Sequence, residues 1–117
     1  MIILVARLEV DPAALPRLRP LLEQTMRSTW EESDCLSYSI AVESEAEGII
    51  TIVERWRSEA AVVAYLDTPA MAAFKEAVDA ALITMDVKLY DVVGERALPT
   101  PPSRPRLTLV ANGISPA

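Results

Sequence analysis

Residues Ile2 to Val10 are mostly β-branched or aliphatic, and their second half alternates, with Ala6, Leu8 and Val10 on one side and Arg7 and Glu9 on the other. Successive side chains leave a strand on opposite faces, so this period of two predicts a first β-strand. Asp11-Pro12 follows as a turn or helix entry, and Leu15, Leu18, Leu22, Met26 and Trp30 then recur every three or four residues, the spacing of an amphipathic helix. Pro16 fits the first turn of a helix that begins near Ala14, whereas Pro20 has no N–H for the interior ladder and should kink the helix or delay its start. Leu36, Tyr38, Ile40 and Val42 alternate with Ser37, Ser39, Ala41 and Glu43, which predicts a second, half-buried strand. The acidic stretch Ser44 to Gly48 turns the chain, and Ile49 to Trp56 is a third strand, paired with the second as an antiparallel hairpin.

Ser58 is placed to cap a short helix reaching Leu66, with Glu59 near its positive end. Thr68-Pro69 opens a further helix, a capping hydroxyl followed by proline in the first turn. Its stripe is Met71, Phe74, Val78, Ala81 and Leu82, with Lys75, Glu76 and Asp79 turned away. Asp86 to Gly94 supplies the last strand, Val87, Leu89 and Val93 on one side and Lys88, Tyr90 and Val92 on the other. The order β-α-β-β-α-β predicts an α+β, ferredoxin-like fold with a four-stranded antiparallel sheet. Helices cover only one face of such a sheet, and the other keeps apolar residues such as Ile3, Val5, Ile49 and Val53. Burial against an identical sheet in a homodimer is therefore expected.

Pro99, Pro101, Pro102 and Pro105 forbid regular structure after Leu98, so residues 1–98 are read as one domain and 99–117 as a proline-rich linker and tail. Arg106 to Ala111 is apolar enough for one more short strand, expected to pair with an edge of this sheet or of a partner's. Leu107, Leu109 and Val110 are costly to leave in water, which favours a tail that docks over one that hangs free.

With 117 residues, of which 51% are hydrophobic and 24% charged, the chain has material for one packed core and is far from a disordered composition. Its net charge of −6 argues against nucleic acid as a partner, because phosphate binding needs a basic surface. The apolar run at the start, Ile2 to Ala6, is too short for a membrane span, and a cytoplasmic location is the expectation. There is no histidine and a single cysteine, Cys35, so a disulfide within the chain is impossible and the usual transition-metal ligands are missing. Gly48, Gly94 and Gly113 are too scattered to build a phosphate-cradling loop. No metal and no cofactor are expected.

The segment Glu54-Arg55-Trp56, Ser58, Ala61, Tyr65-Leu66, Thr68-Pro69 and Phe74 resembles the central signature of antibiotic biosynthesis monooxygenase domains. Cys35-Leu36-Ser37-Tyr38 is similar to the family's opening of strand two, and Val87 to Val93 to its closing strand. The resemblance spans about residues 2 to 98 and implies a dimeric α+β barrel. Many quinol-oxidising relatives carry histidines at positions matching Tyr65 and Ala70, which are absent here, and haem-degrading relatives need an axial histidine, so the resemblance does not extend to haem breakdown. What the resemblance implies is cofactor-independent oxygenation of a small aromatic, quinol or polyketide-like compound. The alternative is a non-catalytic ligand-binding or assembly domain on the same scaffold.

Cofactor-free oxygenation needs an apolar pocket for a planar substrate, a group that helps deprotonate it, and a donor or cation for the resulting oxyanion. Trp56, Phe74 and Met71 are the candidate walls, and Trp30 either lines the same cavity or only completes the packing. Tyr38 and Tyr65 are the candidate hydroxyls, and Arg7 is the candidate cation, a charge within an otherwise apolar strand. Trp56 and Tyr65 are expected to close on one cavity between sheet and helices. Cys35 has no histidine to activate it and is read as a small buried hydrophobe.

Overall fold

The computed structural model describes residues 1–102, 107–110 and 113–116. Strand β1 (Ile2–Val10) leads through a 3-10 turn (Pro12–Ala14) into helix α1 (Leu15–Thr29). Strands β2 (Cys35–Ser44) and β3 (Ile49–Trp56) form a hairpin, followed by helices α2 (Glu59–Leu66) and α3 (Pro69–Asp79) and strand β4 (Leu82–Asp91). The four strands form one antiparallel sheet in the order β2-β3-β1-β4, the ferredoxin-like arrangement. Strands β5 (Leu107–Val110) and β6 (Gly113–Pro116) pair with each other in a separate two-stranded sheet, so the expected extra strand finds its partner in the tail itself.

The core lies between the sheet and the helices. Ile2, Leu4, Ala6, Leu8 and Val10 of β1 and Ile50, Ile52 and Trp56 of β3 are buried there, on the helix side of their strands. The hairpin turn needs Gly48, whose φ of +72° suits glycine and whose Cβ, if present, would stand 2.0 Å from the carbonyl oxygen of Val10. Ser58 Oγ accepts from Ala61 N at 3.2 Å and Thr68 Oγ1 from Met71 N at 3.3 Å, so both predicted caps open their helices.

Three local differences from the sequence pattern have physical causes. Helix α1 runs through Pro20; the carbonyl this leaves without an intrahelical partner belongs to Pro16, an exposed residue of the first turn, where water can serve it. The buried stripe of α1 continues from Leu15, Leu18 and Leu22 to Thr25 and Thr29, not to Trp30, which is 56% exposed. Strand β4 starts at Leu82 and ends at Asp91, earlier at both ends than the predicted Asp86 to Gly94. It follows β1 along its whole length, pairing Val10 with Leu82 and Ile2 with Asp91.

Candidate functional site

The helices do not cover the sheet to its β4 edge. Met85, Val87 and Leu89 pair with Leu8, Ala6 and Leu4, which places them on the helix side, yet they are 57%, 45% and 46% exposed. The gap holds a largely apolar cavity of about 330 Å³ between the sheet and α3. Its floor is Ala6, Leu8 and Ile52 together with two polar residues, Tyr38 and Glu54. Met71, Phe74 and Val78, one turn apart along α3, form the opposite wall. Exposed residues make the rim, among them Leu66, Met85, Lys75 and Asp79, and the last two form an ion pair at 2.5 Å.

Tyr38 and Glu54 face each other across the β2–β3 ladder, both buried. Glu54 Oε1 accepts a hydrogen bond from Trp56 Nε1 at 2.8 Å. Burial pushes the Glu54 carboxyl up to about 7, with the Trp56 hydrogen bond opposing the shift. The Tyr38 phenol is pushed far above its usual range, by burial first and by the Glu54 charge second, so it remains a hydroxyl donor. Burial also raises the Tyr65 phenol and the Cys35 thiol, leaving both neutral near pH 7.

The predicted site residues divide into three groups. Tyr38, Phe74 and Met71 line the cavity. Trp56 and Tyr65 stand behind it, and contrary to the expectation that they close on the cavity, they pack on each other with ring centroids 4.8 Å apart. Trp56 is 1% exposed, and the Tyr65 hydroxyl is engaged with Thr29 Oγ1 at 2.5 Å. Tyr65 also meets Tyr38 edge-on at 6.2 Å. Arg7 and Trp30 lie elsewhere. The parity of β1 turns Arg7 to the opposite face of the sheet, where it pairs with Glu43 at 2.5 Å, and the exposed Trp30 donates its indole N–H to the Tyr38 carbonyl at 2.7 Å. Arg7 instead borders a hollow of about 570 Å³ near the start of β4, lined by Glu9, Glu47 and Asp86 as well, a charged surface poorly matched to an aromatic ligand.

Glu54 was not among the residues picked out for chemistry. The signal was its parity: it shares the inward side of β3 with Ile50, Ile52 and Trp56. Among the described residues no group of three or more His, Cys, Asp or Glu is placed to hold a metal, and no helix is long and apolar enough to cross a membrane.

The family model described as antibiotic biosynthesis monooxygenase matches residues 1–77, well over half of the chain. The chain belongs to this family. The crystal structure of an antibiotic biosynthesis monooxygenase is similar at a TM-score of 0.74 and 24% identity, over 80% of this chain and 100% of the other. A protein from Mycobacterium tuberculosis is similar at 0.72 and 27% identity, over 82% of this chain and 98% of its own. One from Pseudomonas aeruginosa follows at 0.70 and 19%, over 80% and 94%. No curated protein matches the chain. The fold and the family of this monooxygenase-like domain are thus established, and its chemistry has to be argued from the cavity.

Proposed function

We propose that the protein is a cofactor-independent monooxygenase that takes a small planar phenol, quinol or polyketide-like compound into the cavity between the sheet and α3. The observation that carries this reading is the cavity itself. Its size is in the range of small-molecule sites, its walls are apolar, and its floor offers a buried hydroxyl and a buried carboxyl. Phe74 and Met71 suit an aromatic ring, one by ring contact and the other by its adaptable thioether. Membership of a family named for monooxygenases supports the same class of reaction.

In this reading the substrate supplies every electron. A phenol and dioxygen give a quinone and water: one oxygen atom enters the ring as a carbonyl, and the other leaves as water with two hydrogens from the substrate. The Tyr38 hydroxyl, protonated at any physiological pH, is the donor that holds the oxyanion formed on the way. Arg7 has no part in this, since the sheet separates it from the cavity.

Oxygen uptake on a panel of quinols and naphthols tests the proposal. Consumption of one dioxygen per quinone formed is the expected result. Thermal stabilisation by the same compounds with no oxygen uptake would replace the enzyme with a ligand-binding domain on the same scaffold.

A further inference from the structure

We infer that Glu54 is the proton acceptor of this site, held in place by Trp56, and that its ligands are neutral hydroxy-aromatics, not carboxylates or phosphates. This rests on the aromatic-ligand reading of the cavity and adds to it the group that moves the proton and the charge class of the substrate.

Three observations carry the inference. First, among the described residues Glu54 is the charged one of the buried polar side chains, the others being Thr25 and Thr29. A buried carboxylate is ordinarily matched by a cation. Among the described residues Glu54 has none: Arg55 points to the other face of the sheet, where its Nε donates to Ser37 Oγ, and Lys75 at the rim is bound to Asp79. A glutamine would accept the Trp56 N–H equally well without the cost of burying a charge, so the acid is useful here for a proton that comes and goes.

Second, the two oxygens differ. Oε1 is fixed by Trp56, and Oε2 has no hydrogen bond among the described residues, in a side chain that borders the cavity. Trp56 is therefore a positioning residue, aiming one oxygen by occupying the other. Third, the surroundings are neutral. Tyr38 and Cys35 from β2 and Tyr65 from α2 all hold their protons, β1 and β4 face Glu54 with apolar side chains, and α3 contributes only the ion-paired Lys75 and Asp79 at the rim. A second anion entering this space would face the ionised Glu54 without a compensating charge, whereas a neutral hydroxyl would meet an acceptor.

The step is a proton transfer. The O–H bond of the bound phenol breaks, the proton goes to Glu54 Oε2, and the electron pair stays on the aryloxide oxygen facing the Tyr38 hydroxyl. A carboxyl pushed up to about 7 is poised for this near neutrality.

Calorimetric titration with a nitrophenol at about pH 8, in two buffers of different ionisation enthalpy, reads the proton directly. Here both Glu54 and the probe are largely ionised, so binding to the unsubstituted protein should take up close to one proton. Glu54→Gln should bind the probe with almost none. On any quinol that is turned over, Glu54→Gln should lower kcat by roughly 100-fold or more and abolish the acid limb of the rate profile. Trp56→Phe should move that limb to higher pH, because the lost N–H had favoured the carboxylate. Equal proton uptake by the two proteins, or an unchanged kcat and acid limb in Glu54→Gln, would overturn the assignment of Glu54 alone. Failure of the unsubstituted protein to bind any nitrophenol would overturn the aromatic-ligand reading and this inference with it.

Discussion

Glu54 should make the folded protein less stable as the solution becomes more alkaline. Its carboxyl titrates near 7 in the fold and near 4.5 when exposed, so between these values the native chain holds a proton that the unfolded chain has released. Stability therefore falls as pH rises from about 4.5 to 7 and levels off above, by an amount on the order of 3 kcal/mol. Glu54→Gln removes this dependence while leaving the Trp56 N–H an acceptor. The variant should melt several degrees above the unsubstituted protein at about pH 8 and close to it at about pH 4.5; a gap of the same size at both values would contradict the buried titration. Polar residues buried among apolar ones leave no mark in a hydrophobic stripe. Thr25 and Thr29 occupy the inward face of α1, Thr29 satisfied by the Thr25 carbonyl and by Tyr65, while the apolar Trp30 turns outward. Tyr38 was legible because its strand alternates cleanly. Leu36 was misassigned to the same face: the register shifts between Cys35 and Ser37, so Cys35 takes the inward place and Leu36 is left 37% exposed.

Helix α3 supplies one whole wall of the cavity, and its start is set by a single hydroxyl. Thr68 Oγ1 accepts from Met71 N, and the same oxygen donates to the Tyr65 carbonyl at 2.7 Å, tying the end of α2 to the first turn of α3. Pro69 fits that turn, where no intrahelical donor is missed. Thr68→Ala should cost about 1 kcal/mol in urea unfolding, and it should also weaken ligand binding, because Met71 and Phe74 ride on the turn that loosens. A stability loss with fully retained affinity would mean that the cavity wall is held by packing alone. The Ser/Thr caps, the Gly48 turn and the bounds of β1 and β3 were legible because each depends on neighbours in sequence. The start of β4 was not, because Ala81 and Leu82 continue the spacing of the α3 stripe. Only pairing with β1, some seventy residues away in sequence, decides that Leu82 is strand.

Across the whole molecule, the sheet is finished on one side only. On the face away from the helices, Val5 and Val53 are direct neighbours across the β1–β3 ladder, and Ile3 and Tyr90 pair across β1–β4. Val53 is 40% and Tyr90 50% exposed, so an apolar strip crosses the middle of this face, with Lys88 opposite Val5, Arg55 opposite Ile3 and the Arg7–Glu43 ion pair beyond. The strip was legible from the parity of β1 and β3, with one exception: Ile49, also expected there, is only 7% exposed and already belongs to the chain's own packing. A flat patch of this kind meets its own copy well under two-fold symmetry, since each apolar centre covers the other and the charged borders remain wet. The protein is accordingly expected to be a homodimer through this face. Val53→Asp tests the geometry as well as the stoichiometry. In a single chain an exposed aspartate here costs little, but in the dimer two carboxylates would meet near the axis in place of an apolar contact. Light scattering at low micromolar concentration should give twice the chain mass for the unsubstituted protein and the chain mass for Val53→Asp, with the variant still folded by circular dichroism. If the unsubstituted protein already scatters as a single chain, or if Val53→Asp leaves the doubled mass intact, the interface is not on this face of the sheet.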